Sequence, residues 1–212
     1  MDLDADPIAV DEQLSRDDLL APLVEKYPGR RVPRTTDPAQ FAIRAVLGQQ
    51  VSTAAARTHA ARLVLAHGEP IEDRQGGLTH LFPTPNALAE LDPESLAMPR
   101  TRRATLQRLV RALVEGELEL GIGSDWDKAR AQLSQLAGIG PWTIESIAMR
   151  ALGDPDAFVA TDLGIRIAAE RLGLSTKAKD LHERSATWRP WRAYAVQHLW
   201  ATGEHAINHL PA

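Results

Sequence analysis

Leu133-Ser134-Gln135-Leu136-Ala137-Gly138-Ile139-Gly140-Pro141-Trp142-Thr143-Ile144 is the stretch from which the fold of this chain can be read. Before it, Asp125 to Leu136 has the spacing of an amphipathic helix. After it, Pro141 to Leu152 predicts a second helix, with proline at the favoured first position. The connection is too tight for side chains, which accounts for two glycines around one apolar residue. Ile139 would plug the gap between the helices, while Gly138 and Gly140 free the backbone to approach something closely. Amides at the start of the second helix would point outward with the positive end of its dipole, forming an anion site.

This pattern is a helix-hairpin-helix, whose usual anion is a DNA phosphate. Gly138-Ile139-Gly140 could also be read as a dinucleotide fingerprint, but a helix precedes it and the third glycine is missing. On the glycines alone, an ordinary helical turn is about as good a reading.

The 212 residues can bury a core as one domain or as two small lobes. A hydrophobic content of 44% with 25% charged residues is that of a soluble globular protein. Zero cysteines removes disulfides, thiolate zinc sites and any cysteine-held iron–sulfur cluster. The acidic start, Met1-Asp2-Leu3-Asp4-Ala5-Asp6-Pro7, predicts no signal peptide, and no stretch approaches a membrane span. The expectation is a cytoplasmic protein. A net charge of -4 argues against broad nucleic-acid binding. Arginines nevertheless crowd Gly29-Arg30-Arg31-Val32-Pro33-Arg34 and the segment Arg100 to Arg111, each expected as a solvated face.

Apolar spacing is helical nearly throughout. Ser15 is expected to cap a helix running to Tyr27. Asp37-Pro38 opens one stopping near Gly48, and Ser52 caps another ending at His67-Gly68. Glu69 to His80 reads as a mobile surface loop. Thr84-Pro85 and Asp92-Pro93 start short helices, and Arg100 to Glu115 forms a long basic one. Beyond the hairpin, Ala157-Phe158-Val159-Ala160 is an apolar connector. Thr161-Asp162 then opens a helix to about Leu172, Lys177 to Ala186 forms another, and Pro190 begins the last. The total is nine or ten helices.

Asp162 stands at a helix start behind a connector that would bury its surroundings. An aspartate there is most often an N-cap, and less often catalytic. Glu145, three residues after Trp142, is the rival carboxylate and reads as a solvated charge. His198, His205 and His209 lack a carboxylate–histidine motif that would make them a metal site. Trp142 and Trp200 could be core, although Trp142 projects from the first turn of the helix whose end should face DNA.

Four stretches together resemble the helix-hairpin-helix DNA glycosylase superfamily, and within it the bacterial 3-methyladenine DNA glycosylase II type. They are Ala45-Val46-Leu47-Gly48-Gln49-Gln50-Val51-Ser52, the hairpin Leu136 to Thr143, Phe158-Val159-Ala160-Thr161-Asp162, and Trp188-Arg189-Pro190-Trp191-Arg192-Ala193-Tyr194. The similarity runs from about Arg34 to Trp200. It implies an all-α, bilobal helix-hairpin-helix glycosylase fold. One lobe would span 37–154 and the other 1–36 with 155–212, without the N-terminal β-rich domain of some relatives. By this resemblance Asp162 is the catalytic aspartate, and Trp142 and Trp200 line a base pocket. Gly138, Gly140 and Thr143 offer amides to a phosphate. The carbonyls of Ser134, Leu136 and Ile139 match a structural Na+ or K+ site.

The pattern departs from the superfamily at the wedge position, a leucine in some relatives, which is Gln50 here. A pocket aromatic one turn after Trp142 is Ser146, which predicts a wider pocket. Trp142 occupies the register where strand-nicking members carry a lysine, so no Schiff base can form there. The resemblance therefore implies a monofunctional, monomeric DNA glycosylase acting on double-stranded DNA with alkylated, mainly cationic purines. It needs no cofactor and no membrane. A non-catalytic hairpin module for damaged DNA, or a glycosylase for neutral lesions, are the alternatives.

Overall fold

The computed structural model describes residues 2–73, 75–96 and 98–203. His205 and His209 lie outside them. In chain order the described α-helices are α1 (Pro7–Leu14), α2 (Ala21–Lys26), α3 (Pro38–Leu47), α4 (Thr53–His67), α5 (Pro85–Ala89), α6 (Arg100–Val114), α7 (Trp126–Gln135), α8 (Pro141–Ile147), α9 (Leu163–Arg171), α10 (Ala178–Arg184) and α11 (Arg192–Ala201). Short 3-10 turns at Pro93–Ser95 and Ser185–Trp188 complete the helical set. Among the described residues, extended pairing is limited to one isolated bridge, Pro70 with His80. No helix there is long and apolar enough to cross a membrane.

The chain divides into two compact units, Met1–Thr35 with Ala148–Ala212, and Thr36–Ile147. The division falls inside the second hairpin helix, where α8 passes into a π-helical turn, Ala148–Leu152. Such turns are rare and interrupt the regular α ladder.

In the unit Thr36–Ile147, α3 is the central element. Its Ala42, Ile43, Ala45, Val46 and Leu47 are buried, and it packs on α4, α6 and α8. Asp37 caps α3 by accepting the Gln40 amide at 2.9 Å, with Pro38 at the first position. Ser52 caps α4 in the same way through Ala55. In α6, Thr105, Leu106, Leu109, Val110 and Ala112 form one buried stripe.

The basic run of α6 is more than a solvated face. Arg102 donates to the Gln49 carbonyl at 2.8 Å, Arg103 pairs with Glu94 at 2.7 Å, and Arg108 donates to the Ala137 carbonyl at 3.2 Å. The segment Glu69 to His80 is likewise a pinned turn. Ile71 donates to Thr79 and Leu81 to Glu69 across it. The Asp73 carboxylate accepts from the amides of Gly76, Leu78 and Gln75, which hold its pKa below the usual range.

In the other unit α11 is the core helix, buried from Arg192 through Leu199 and packed on α2 and α9. The region expected as one helix from Ser15 to Tyr27 holds only α2, and α1 lies before it. Asp6-Pro7 is an earlier cap-plus-proline start, and Ser15 closes α1 instead of opening a helix. Asp17 then turns the chain, accepting the Leu19 amide at 3.0 Å and the Trp188 indole at 2.7 Å. The first arginine cluster is used internally here too. Arg31 donates to the Asp2 and Ala5 carbonyls, and Arg34 to that of Leu152. α11 begins at Arg192, two residues after Pro190.

Candidate functional site

The hairpin is built as its sequence predicts. Asp125 caps α7 by accepting from Asp127 and Lys128, both at 3.0 Å, and Leu136 ends it. The Ile139 amide donates to the Leu136 carbonyl at 2.9 Å, closing the turn, and Ile139 is buried as the plug. α8 starts with Ile144 donating to Gly140 at 3.0 Å. Arg130 of α7 grips Glu145 of α8 through two nitrogens, at 2.9 and 3.2 Å, tying the two helices together. Glu145, expected as a solvated charge, is thus a structural ion pair, three-quarters buried at its side chain.

The two glycines have different reasons for being glycine. Gly138 has φ +97°, and a Cβ there would lie 2.0 Å from Thr105 Oγ1. Its bareness serves α6, which closes on the hairpin from inside. Gly140 has no such φ, and a Cβ on it would meet nothing within 4 Å. Gly140 is therefore the position that leaves the backbone open to an outside group.

The connection between α3 and α4 is locked to the hairpin by Gln49, which sequence reasoning passes over. Its side-chain amide donates to the Gly138 carbonyl and to Thr143 Oγ1, both at 3.0 Å. Its own carbonyl is held by Arg102. The next residue, Gln50, is exposed and has φ +53°, left-handed backbone that a side chain adopts at a cost. Thr143 and Ser146 are buried, and Trp142 is half-buried.

The remaining expected residues lie in the unit containing α9 and α11. The connector is buried at Ala157, Phe158 and Val159, and Phe158 meets Trp188 edge-on at 5.8 Å. That anchors the chain just before Asp162, which caps α9. Asp162 Oδ1 accepts the Ile165 amide at 3.0 Å and the Trp200 indole N–H at 2.8 Å. Asp162 is therefore the N-cap that its position predicts, and it is also joined to one of the two tryptophans singled out in the sequence. The tertiary fold brings Asp162 and Trp200 together across 38 positions. Trp142, Ser146, Gln50 and the hairpin belong to the other unit.

His198 is a buried core histidine on α11, not a surface ligand. Burial pushes its pKa down to about 4, with the Arg30 charge adding to the effect and Asp11 and the Leu23 backbone opposing it. Among the described residues, no group of three or more histidine or acidic side chains is placed to hold a metal ion.

Residues 43–193 match the model of the HhH-GPD superfamily base excision DNA repair proteins, and the chain belongs to that family. Residues 1–37 match the AlkA N-terminal domain. The chain is 57% identical over 211 residues to the probable bifunctional transcriptional activator/DNA repair enzyme AlkA of Mycobacterium tuberculosis, covering all of this chain and 42% of that protein. It thus spans well under half the length of that relative. It is 35% identical to DNA-3-methyladenine glycosylase 2 of Escherichia coli, covering 95% of this chain and 68% of that one. A solved 3-methyladenine DNA glycosylase from Archaeoglobus fulgidus superposes with a TM-score of 0.75 at 24% identity, over 92% of this chain and 68% of its own, which shows the shared fold.

Proposed function

We propose that this chain is a monofunctional DNA glycosylase that hydrolyses the N-glycosidic bond of alkylated purines, chiefly cationic ones such as 3-methyladenine, in double-stranded DNA. The observation that carries this reading is the Asp162–Trp200 pair at the start of α9, a carboxylate held by the N–H edge of an indole. A non-catalytic DNA-binding hairpin has no use for that pair.

The hairpin amides grip a phosphate with the open backbone at Gly140 toward the strand. Gln50, presented from its αL turn, fills the stack when the damaged nucleotide swings out. Extrusion costs a few kcal/mol and least for a damaged base. A purine alkylated on a ring nitrogen is a cation, which tryptophan faces attract by about 0.5 to 2 kcal/mol per contact. When the C1′–N bond breaks, its electron pair neutralises that cation, so the base departs without needing a proton. Positive charge moves to the sugar, where the Asp162 carboxylate stabilises it. Water adds to C1′ and gives its proton to Asp162 or solvent. With Trp142 in the register of the strand-nicking lysine, no covalent enzyme–sugar adduct forms.

The proposal includes a monomer needing no catalytic cofactor. The carbonyls of Ser134, Leu136 and Ile139 would hold a Na+ or K+ ion. Ser134 and Leu136 stand at the C-terminus of α7, where carbonyls lack intrahelical partners, and Ile139 lies in the hairpin turn, so the three offer the neutral oxygens that suit such cations. The ion would add positive charge beside the bound phosphate. Leu136 already accepts from Ile139 and has one lone pair to offer.

The test is to incubate the chain with methylated DNA and identify the freed bases. Release of 3-methyladenine and 7-methylguanine is expected, slow release of hypoxanthine, and no complex trapped by borohydride. Binding to an abasic duplex without any base release would favour the hairpin-module alternative. Faster excision of neutral lesions than of 7-methylguanine would overturn the cationic preference.

A further inference from the structure

Gly164 occupies the first turn of α9, two residues after Asp162. It is not among the positive-φ positions, so the backbone does not require a glycine there. Glycine is also the poorest helix former after proline, at about 1 kcal/mol relative to alanine in a helix interior. Local structure therefore disfavours this residue, and its explanation has to lie in what surrounds it.

A Cβ at Gly164 would lie 3.0 Å from Asp162 Oδ1, 3.0 Å from Trp200 Cδ1 and 3.2 Å from Trp200 Nε1. Contacts of 3.0–3.4 Å are tighter than nine in ten that real Cβ atoms make, so a neighbour would have to give by a few tenths of an ångström. Two of the three atoms are the acceptor and donor nitrogen of the 2.8 Å hydrogen bond between Asp162 and Trp200. Neither partner can step aside easily. Asp162 Oδ1 is held by the Ile165 amide as the cap of α9, and the indole is a rigid plate with two torsions. We infer that Gly164 is a positioning residue for the reaction proposed above. Its missing side chain lets the Trp200 indole lie across the start of α9 and hold the Asp162 carboxylate in its working orientation. This rests on that functional reading for its effect on rate, but the geometric claim stands on the three distances.

The experiment follows the indole N–H signal of Trp200 in the 15N-labelled full chain, assigned with Trp200→Phe, alongside base release from methylated DNA. In Gly164→Ala the signal should leave its wild-type position. kcat should fall about tenfold, as expected for a displacement of a few tenths of an ångström when 1 Å costs about a hundredfold. KM should stay within about twofold, because the phosphate grip is untouched. In a Trp200→Ala background, Gly164→Ala should lose most of its effect on kcat, since only the contact with Asp162 Oδ1 is left. If Gly164→Ala folds poorly, the Tm loss it causes should shrink in that background, where the indole is gone.

An unmoved Trp200 signal with unchanged kcat overturns the inference. So does an equal kcat loss from Gly164→Ala in the Trp200→Ala background, or an equal Tm loss there. Should the wild-type chain release no methylated base, the proposed function fails by itself. The indole signal then still decides whether Gly164 holds the pair.

Discussion

The hairpin at Leu136–Pro141 and the start of α9 at Asp162 are both helix N-termini, yet they are built in opposite ways. The hairpin is a backbone device. Its parts are contiguous in sequence, its glycines remove side chains, and Gln49 and Arg108 hold its carbonyls from behind. The start of α9 is a side-chain device, in which one carboxylate oxygen takes an amide from its own helix and an indole from α11. The first can grip any strand, because phosphate contacts carry no base information. The second offers charge and an aromatic ring, which under the proposed function select and activate a base. Changes at the hairpin should therefore alter affinity for all DNA, and changes at α9 should alter rate and selectivity.

Asp162→Asn tests this separation with the largest effect. It keeps the size and can still cap α9, but removes the charge. Single-turnover base release should fall by about 10²–10³ or more, with affinity for an abasic duplex retained. Near-normal turnover would remove Asp162 from the chemistry.

Acid should next distinguish the two units. His198 is buried in the α9–α11 unit with its pKa drawn from 6.5 to about 4. The unfolded chain therefore binds the extra proton first. Stability from His198 is complete above about pH 6.5 and is lost as the pH falls toward 4, by roughly 3 kcal/mol in all. Chemical denaturation between pH 7 and 4 measures it. A His198→Gln variant should show a flatter profile over that window.

Gly140→Ala should leave Tm unchanged, since its Cβ meets nothing, and weaken binding to every duplex alike by about tenfold, close to one lost charge-assisted contact. Gly138→Ala is its contrast. With φ +97° and Thr105 in the way, it should lower Tm as well as affinity. Equal Tm for both variants would erase the distinction between the inner and outer glycine.

The smallest effect belongs to Trp200→Leu. It should slow release of 7-methylguanine more than release of hypoxanthine, the difference corresponding to about 0.5 to 2 kcal/mol of cation–π attraction. Equal losses on both bases would leave the ring with only its hold on Asp162.

Local chemistry makes much of this molecule legible in its sequence. Asp37-Pro38, Ser52, Thr84-Pro85, Asp92-Pro93 and Asp162 all cap the elements they are expected to start, because a cap and its amide lie within three residues of each other, whereas α7 is capped by Asp125 and not by Ser124, the residue expected to open it. The hairpin is equally plain, since its glycines, plug and proline are consecutive. Ser15 to Tyr27 reads as one helix because Ser15 has the side chain of an N-cap, but its position is that of a C-cap. Asp6-Pro7 upstream decides between them. The arginine clusters look solvent-bound because their acceptors, the carbonyls of Gln49, Ala137 and Leu152, leave no mark in a sequence.

What only the tertiary structure decided are the pairings over long separations: Gln49 with the hairpin, Trp200 with Asp162, and the bare Gly164 between the last two. Caps, turns and periodicity are set by interactions within a few residues, so composition and order determine them. A glycine that is needed because an indole arrives from 36 positions away carries no local signal, and only packing reveals it.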